Sequence, residues 1–420
     1  MPRAAAAPRP DPQAAYAQWI EACANAGWLA TPAAERVPVA DALGRVTAGE
    51  VRARWPVPPF ACAAMDGIAI AARSVAALAD APGPGRLAAS SFSWVDTGDA
   101  IPAGLDTVVE RERCELGPDG SVQITGPVPP GLHVRTTGED FPAGQLLIPV
   151  GHRVRPVDLA IAAAAGHARL EVARRPVVAV IPTGDEVRPA GAALGLGEVT
   201  DSNSLMLASS ARQSGARSLV NDVQPDQPDV IAAVLGDAAL AADLLLVIAG
   251  SSVGRRDHTA DVLAQVGALT VQGVAVRPGH PVLLGHVAAG RERSGGRTEI
   301  VPAIGVPGYP LAAAVIFELF AAPMIAALQG ARPRDRAVLW AQLGCDWTSS
   351  ADVEDWVPVS LAPAAGEPDA EAALVATPGR RGAAAISRLM LADAWWRIPV
   401  GRAKFVRGDH IAVHPIPGAP

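Results

Sequence analysis

The stretch Leu244-Leu245-Leu246-Val247-Ile248-Ala249-Gly250-Ser251-Ser252-Val253-Gly254-Arg255-Arg256-Asp257 decides how this chain is read. It opens on an unbroken apolar run bounded by Asp243. A short continuous apolar run with β-branched members reads as a strand buried on both faces. Small residues follow, and then His258 to Val266 carries helical spacing. Gly267 stands where a helix C-terminus favours a left-handed φ. The segment is strand, glycine-serine loop, helix. Such a loop aims free backbone N–H groups and a helix N-terminus at its ligand, and it favours oxyanions. Asp257 at the helix start reads either as an N-cap or as a carboxylate at a metal or phosphate edge.

Working outward, the same grammar repeats. Pro176 to Ile181 reads as a second buried strand, ending in Thr183-Gly184-Asp185-Glu186. Asp201-Ser202-Asn203-Ser204 caps a helix that runs to about Gln213. Ser218 to Val223 reads as a strand, followed by a loop holding Asp226 and a helix from Asp229 to Leu240. Beyond the opening stretch, Leu269 to Val276 reads as a strand ending in Arg277-Pro278-Gly279-His280-Pro281. Val282 to His286 and Glu299 to Ile304 read as a hairpin. Val306-Pro307-Gly308-Tyr309-Pro310 then leads into a helix from Leu311 to Leu328. Alternating strands and helices imply right-handed crossovers and a mostly parallel sheet. In such a sheet the loops that follow strands share the carboxyl edge, where ligands of open α/β sheets bind.

The flanks differ. Residues 51–150 read as a β-rich domain, inserted between a helical segment at 11–50 and its continuation at 151–174. Within it, Asp66-Gly67 reads as a turn before the strand residues Ile68 and Ile70. Thr97-Gly98-Asp99-Ala100-Ile101-Pro102-Ala103-Gly104 echoes Thr137-Gly138-Glu139-Asp140-Phe141-Pro142-Ala143-Gly144. Residues 175–330 form the α/β domain. Residues 331–420 read as a C-terminal β domain, a small barrel or sheet whose Trp340, Trp347, Trp356, Trp395 and Trp396 serve as core and lid.

The chain has 420 residues, half of them hydrophobic, and a net charge of −7. That balance, with scattered basic residues, argues against general nucleic-acid binding. Cys23, Cys62, Cys114 and Cys345 show no CxxC pairing, so neither zinc nor a disulfide framework is expected. No membrane span and no secretory signal are visible, and a cytoplasmic protein is expected. At the sheet edge, backbone amides and Arg277 suit a phosphate or another tetrahedral oxyanion. The carboxylates Asp185, Glu186, Asp226 and Asp257 suit Mg²⁺ bridged to substrate phosphate. No P-loop, dinucleotide fingerprint or serine-hydrolase elbow occurs.

PPFACAAMDGIAI, TGDAIPAG, TGEDFPAG, VIPTGDEV, DSNS, AGSSVGRRD, VRPGHP and VPGYP, in this order, resemble the MoeA-type molybdopterin molybdenumtransferases, the family of the gephyrin E domain. The resemblance covers nearly the whole chain. It implies an elongated homodimer of four-subdomain chains that inserts molybdate into adenylylated molybdopterin and releases AMP. It places the site between the α/β domain of one subunit and the β-rich domain of the other. It implies catalytic roles for Asp66, Asp140 and Asp257, and metal binding by Glu186, Asp226 and Asp257. Substrate contacts are implied for Thr97, Gly250, Ser251, Ser252, Gly254, Arg277, His280, Pro307 and Pro310. Molybdoenzyme maturation proteins are implied as partners. Arg277 and His280 stand where the family usually has lysines, Tyr309 where it has Asn, and Ala249 where it has Gly. Arg keeps a cation, whereas His keeps one only when protonated. Two rival functions are a molybdopterin adenylyltransferase, which would consume ATP, and a non-catalytic binding or scaffold protein.

Overall fold

The run Leu244–Ala249 forms a strand with parallel neighbours on both sides, Val177–Pro182 and Arg297–Pro307. Leu244 and Leu246 bury into one core, and Leu245 and Val247 into another, as strand periodicity requires. The computed structural model describes residues 9–28, 33–74, 86–249, 258–293, 297–332, 337–364, 374–379, 382 and 386–416. These fall into two compact units, 34–172 and the remainder, 1–33 with 173–420.

In the larger unit the six-stranded sheet has Arg217–Val220 at one edge, beside Val177–Pro182. At the other edge Leu283–Arg293 runs antiparallel between Arg297–Pro307 and Gly267–Gln272. Two reversals restore the direction. The carboxyl end of Gly267–Gln272 therefore lies at the same edge as those of the central strands. The helix Asn203–Gln213 and the run Pro310–Leu328 pack on one face through Leu207, Val315 and Phe320. The helices Pro228–Ala239 and Thr259–Val266 pack on the other through Ile231, Leu235 and Val262. This is the mostly parallel α/β sheet the sequence implies.

Three local readings change. Gly267 has φ −173, which is extended backbone, and it opens a strand. A Cβ there would lie 2.0 Å from the His286 carbonyl oxygen, so this glycine serves close approach of two strands. The expected strand to Val276 stops at Gln272, and Val276–Arg277 instead pairs in parallel with Glu354–Asp355 of the C-terminal sheet. The helix after Pro310 contains a π turn at Phe317–Ala321. Pro323 follows in the first turn of Ala322–Leu328 and lacks the N–H that an α ladder would use. Pro310–Leu328 is also long and apolar enough to cross a membrane by length and composition. Here Leu311, Ile316, Phe320 and Met324 line the protein core.

The first helix, Pro12–Asn25, packs on the α/β sheet rather than with residues 151–174. Fully buried Trp19 joins the core there, and its indole N–H donates to the Gly285 carbonyl at 2.6 Å. What stays with residues 151–172 is the segment after it, where Ala34–Pro38 pairs with Arg169–Ala173.

The C-terminal strands close into a ring. Glu354–Pro363 pairs with Leu374–Pro378, then Leu339–Leu343, His410–Pro415 and Ala394–Ile398, which returns to Glu354–Pro363. Neighbouring tryptophans point to opposite sides of this small barrel. Trp396 packs inside it against Phe405, and Trp395 packs with Trp356 in the α/β core. Trp340 is 66% exposed and belongs to neither core.

The unit 34–172 is β-rich. Gly67–Ile70 is the central strand between Phe92–Val95 and Thr107–Glu110. A Cβ on Gly67 would meet the Val109 carbonyl oxygen at 1.9 Å. The Asp-Gly pair is thus the entry to a tightly packed strand, and not a turn demanded by Gly67.

Candidate functional site

Two cavities open at the carboxyl edge of the α/β sheet, on either side of the turn 307–310. The first, about 460 Å³, is lined by Thr183, Glu186, Asp201, Asn203, Tyr309 and Pro310, among others. The second, about 380 Å³, is lined by Arg277, His280, Pro307, Tyr309, Trp356 and Arg388, among others. Tyr309 borders both.

Backbone bonds hold the loops of the first cavity. The Thr183 hydroxyl donates to the Ile248 carbonyl at 3.0 Å, and Gly184 N–H donates to the Gln224 carbonyl at 3.0 Å. The Asp226 N–H donates to Asp185 Oδ1 at 3.2 Å. Asp185 is thereby an anchor between two loops, while Glu186 is carried on one loop and Asp226 on the other. Among the described residues no three His, Cys, Asp or Glu gather closely enough to cage a metal. Gly250, Ser251, Ser252, Gly254 and Asp257 lie outside the described residues.

The two residues that stand where the family usually has lysines, Arg277 and His280, are in different states. The Arg277 guanidinium is bound to Asp355, through Nε at 3.3 Å and through a second, shorter bond. Asp355 is 4% exposed and also accepts from the Ser349 hydroxyl at 2.8 Å. Next to it, buried Glu354 accepts from Arg397 and from the Trp356 indole at 2.6 Å. His280 is exposed at the turn, yet partial desolvation of its ring, and then the charge of Arg9, hold its pKa below the ordinary imidazole value. It is therefore a poor cation at neutral pH. Arg388, from the short helix Ser387–Met390, enters the same cavity and donates to the Gly382 carbonyl at 3.2 Å. Sequence reading missed Asp355, Ser349 and Arg388, because nothing local ties them to residues 277–280.

In the unit 34–172 Thr97 is brought onto Asp66, while Asp140 is held by its own N–H on the Val57 carbonyl at 2.9 Å. Thr97 donates to Asp66 Oδ1 through both its N–H and its hydroxyl, each at 2.7 Å. These bonds, the side-chain one foremost, lower the Asp66 pKa from its ordinary value. The two echoing octapeptides are true structural copies. Gly98 N–H donates to the Ala63 carbonyl and Gly138 N–H to the Pro58 carbonyl. Asp99 accepts from Asp96 N–H at 2.9 Å, and Glu139 accepts from Thr136 N–H at 3.0 Å. Gly98 and Gly138 both have positive φ, as do Gly104 and Gly144. Asp99 and Glu139 therefore lock turns. Asp140, exposed, occupies the position that Ala100 fills in the first copy, so its carboxylate is not part of the shared turn.

Comparison with known proteins covers the chain in three blocks. Residues 13–166 match the MoeA N-terminal region (domain I and II), 179–327 a probable molybdopterin binding domain, and 341–416 the MoeA C-terminal region (domain IV). Among curated proteins, molybdopterin molybdenumtransferase 2 of Mycobacterium tuberculosis is 32% identical over 335 residues, spanning 73% of this chain and 79% of that protein. The molybdopterin molybdenumtransferase of Haemophilus influenzae is 30% identical over 306 residues, spanning 70% of this chain and 73% of its own. Among solved structures, a molybdopterin biosynthesis MoeA protein of a Pyrococcus species superposes with a TM-score of 0.77 at 26% identity, covering 96% of this chain and 98% of the other. The sheet, the barrel and the two cavities at the sheet edge thus belong to a chain that is, over nearly its whole length, a member of the MoeA family.

Proposed function

We propose that this chain is a molybdopterin molybdenumtransferase, inserting molybdate into adenylylated molybdopterin with release of AMP. The reading is supported foremost by two adjoining cavities at one sheet edge, one bordered by carboxylates and the other by guanidinium groups. The larger suits a ring-bearing phosphorylated substrate. The smaller suits a tetrahedral oxyanion, through the forked donors of Arg277 and Arg388. Asp355 and Ser349 hold Arg277 in a fixed direction, so little reorganisation accompanies binding. Glu186 and Asp226 supply the one or two protein carboxylates that Mg²⁺ usually takes beside substrate phosphate. When bound there, the ion neutralises phosphate charge. Asp66, kept ionised by Thr97, and Asp140 complete the site in a homodimer, as the resemblance implies. The enzyme would act in the cytoplasm and pass its product to molybdoenzyme maturation proteins.

Incubation of the purified protein with adenylylated molybdopterin, molybdate and Mg²⁺ should release AMP in proportion to molybdate consumed. Consumption of ATP instead would point to the adenylyltransferase. A second reading, a non-catalytic binder, draws on the closed Arg277–Asp355 pair and the lowered pKa of His280. Tight binding of adenylylated molybdopterin without AMP release would select it.

A further inference from the structure

The loop 273–281, between the strands Gly267–Gln272 and Leu283–Arg293, carries both Arg277 and His280. Bonds within it set its shape. Gly273 N–H donates to the Val282 carbonyl at 2.8 Å, and Val274 N–H to the His280 carbonyl at 2.9 Å. Two distant segments then take hold of one residue, Ala275. Its carbonyl accepts from Glu354 N–H at 3.0 Å, and its N–H donates to the Pro10 carbonyl at 2.8 Å. The second bond comes from Arg9-Pro10, just ahead of the first helix. That segment has a firm base. Asp11 caps the helix by accepting from Ala14 N–H at 2.8 Å, and Trp19 buries the helix in the sheet core.

Arg9 reaches further than its neighbour. Gly273 has φ +83, and a Cβ there would lie 3.1 Å from Arg9 Nε and 3.2 Å from the His280 carbonyl oxygen. The Arg9 side chain and the His280 backbone thus crowd the same side of one glycine. The charge of Arg9 is felt at the His280 ring, where it adds to desolvation in lowering the pKa. The other elements against this turn bring little to oppose it. The helix Pro310–Ile316, whose Ile316 side chain would lie 2.9 Å from a Cβ on Gly279, has no charged residue. Arg277, on the turn itself, is paired with Asp355 of the C-terminal sheet.

We propose that Arg9 is a positioning residue of the anion-binding turn, bracing residues 273–281 together with Pro10 and setting a fixed positive charge beside His280. What the turn binds rests on the proposed function; the brace stands on the protein alone. Arg9 is not among the residues that line the cavity, so it acts through the turn and through its field.

The test compares wild type, Arg9→Lys and Arg9→Gln in the full chain. The first readout needs no substrate. The His280 imidazole is titrated by NMR, its signal assigned by its loss in His280→Gln. Arg9→Gln should raise the His280 pKa toward the ordinary imidazole value, because a positive neighbour no longer opposes the protonated ring. Arg9→Lys should leave it near wild type. The second readout is the molybdate dependence of AMP release at about pH 8, where an ordinary or acid-shifted histidine is neutral. Half-saturation should rise about threefold in Arg9→Gln, the scale of one exposed charge, with kcat unchanged and with recovery in Arg9→Lys. A His280 pKa or a half-saturation that is the same in Arg9→Gln as in wild type overturns the inference. So does a joint fall in kcat and melting temperature that Arg9→Lys does not restore, which would make Arg9 a structural residue only. Wild-type protein that releases no AMP overturns the proposed function instead, and the NMR titration then decides whether Arg9 acts on the turn.

Discussion

Arg277 and His280 occupy equivalent places on one short turn and have opposite fates. Arg277 is charged, directed and already paired with buried Asp355. His280 has its pKa pushed below the ordinary imidazole value, so its protonated form is present only on the acid side of that value. The sign follows. Any help that His280 gives an oxyanion is fully present at acid pH and lost as pH rises through its lowered pKa. Near neutral pH the molybdate dependence of AMP release should then be flat as far as His280 is concerned, and it should steepen only toward the lower part of the range of about pH 5 to 8 in which histidines titrate. His280→Lys should raise molybdate affinity at neutral pH. Arg277→Ala should weaken it at every pH, and should also cost about 1–3 kcal/mol of stability by stranding Asp355. Molybdate titrations of the three proteins, with their melting curves, check this. The residue types at 277 and 280 were legible in the sequence. Their states were not, because Asp355 lies 78 positions away from Arg277 and no local pattern announces the pairing.

At the scale of elements, the strands of the α/β sheet were legible because burial on both faces leaves nothing but apolar residues to write them with. The C-terminal ring was legible from short strands set between Pro and Gly breaks. Two of the failures share one cause: Gly267 and the detached strand Val276–Arg277 are each set by a neighbour distant in sequence. The octapeptide repeat is the reverse case, since its similarity could be read but not the division of labour inside it. Asp99 and Glu139 hold equivalent turns, so Asp99→Ala and Glu139→Ala should each destabilise the fold by about 0.5–1.5 kcal/mol. Asp140→Ala should leave the melting temperature nearly unchanged and lower AMP release. Loss of activity in proportion to loss of stability across all three variants would reduce Asp140 to another turn residue.

At the scale of the whole molecule, the family motifs made the α/β sheet and the barrel readable before any coordinate. The site was only half readable. The motifs named the loops, but the two cavities and the Tyr309 wall between them arise from how the loops pack. If subunits share active sites, as the resemblance implies, the protein should sediment as a dimer at assay concentration. Chains carrying Asp66→Ala and chains carrying Glu186→Ala, each inactive alone, should regain part of the activity when mixed and allowed to exchange subunits. Sedimentation as a fully active monomer would end the shared-site reading.

The pairing of Val276–Arg277 with Glu354–Asp355 has a consequence for the order in which the molecule is made. The Glu354 N–H donates to the Ala275 carbonyl at 3.0 Å, and the Arg277 guanidinium finds its carboxylate one residue further on. On the ribosome, residues 275–277 emerge well before their partners have been synthesised. Domains generally fold as units, the N-terminal ones first. The α/β sheet can therefore take shape while the loop that bears Arg277 still lacks its mooring. The cavity beside Arg277 is walled on its far side by Trp356 and Arg388, so it does not exist until the C-terminal ring has closed. A nascent chain with a finished sheet is thus a protein without this pocket, which arrives only when the C-terminal ring is made.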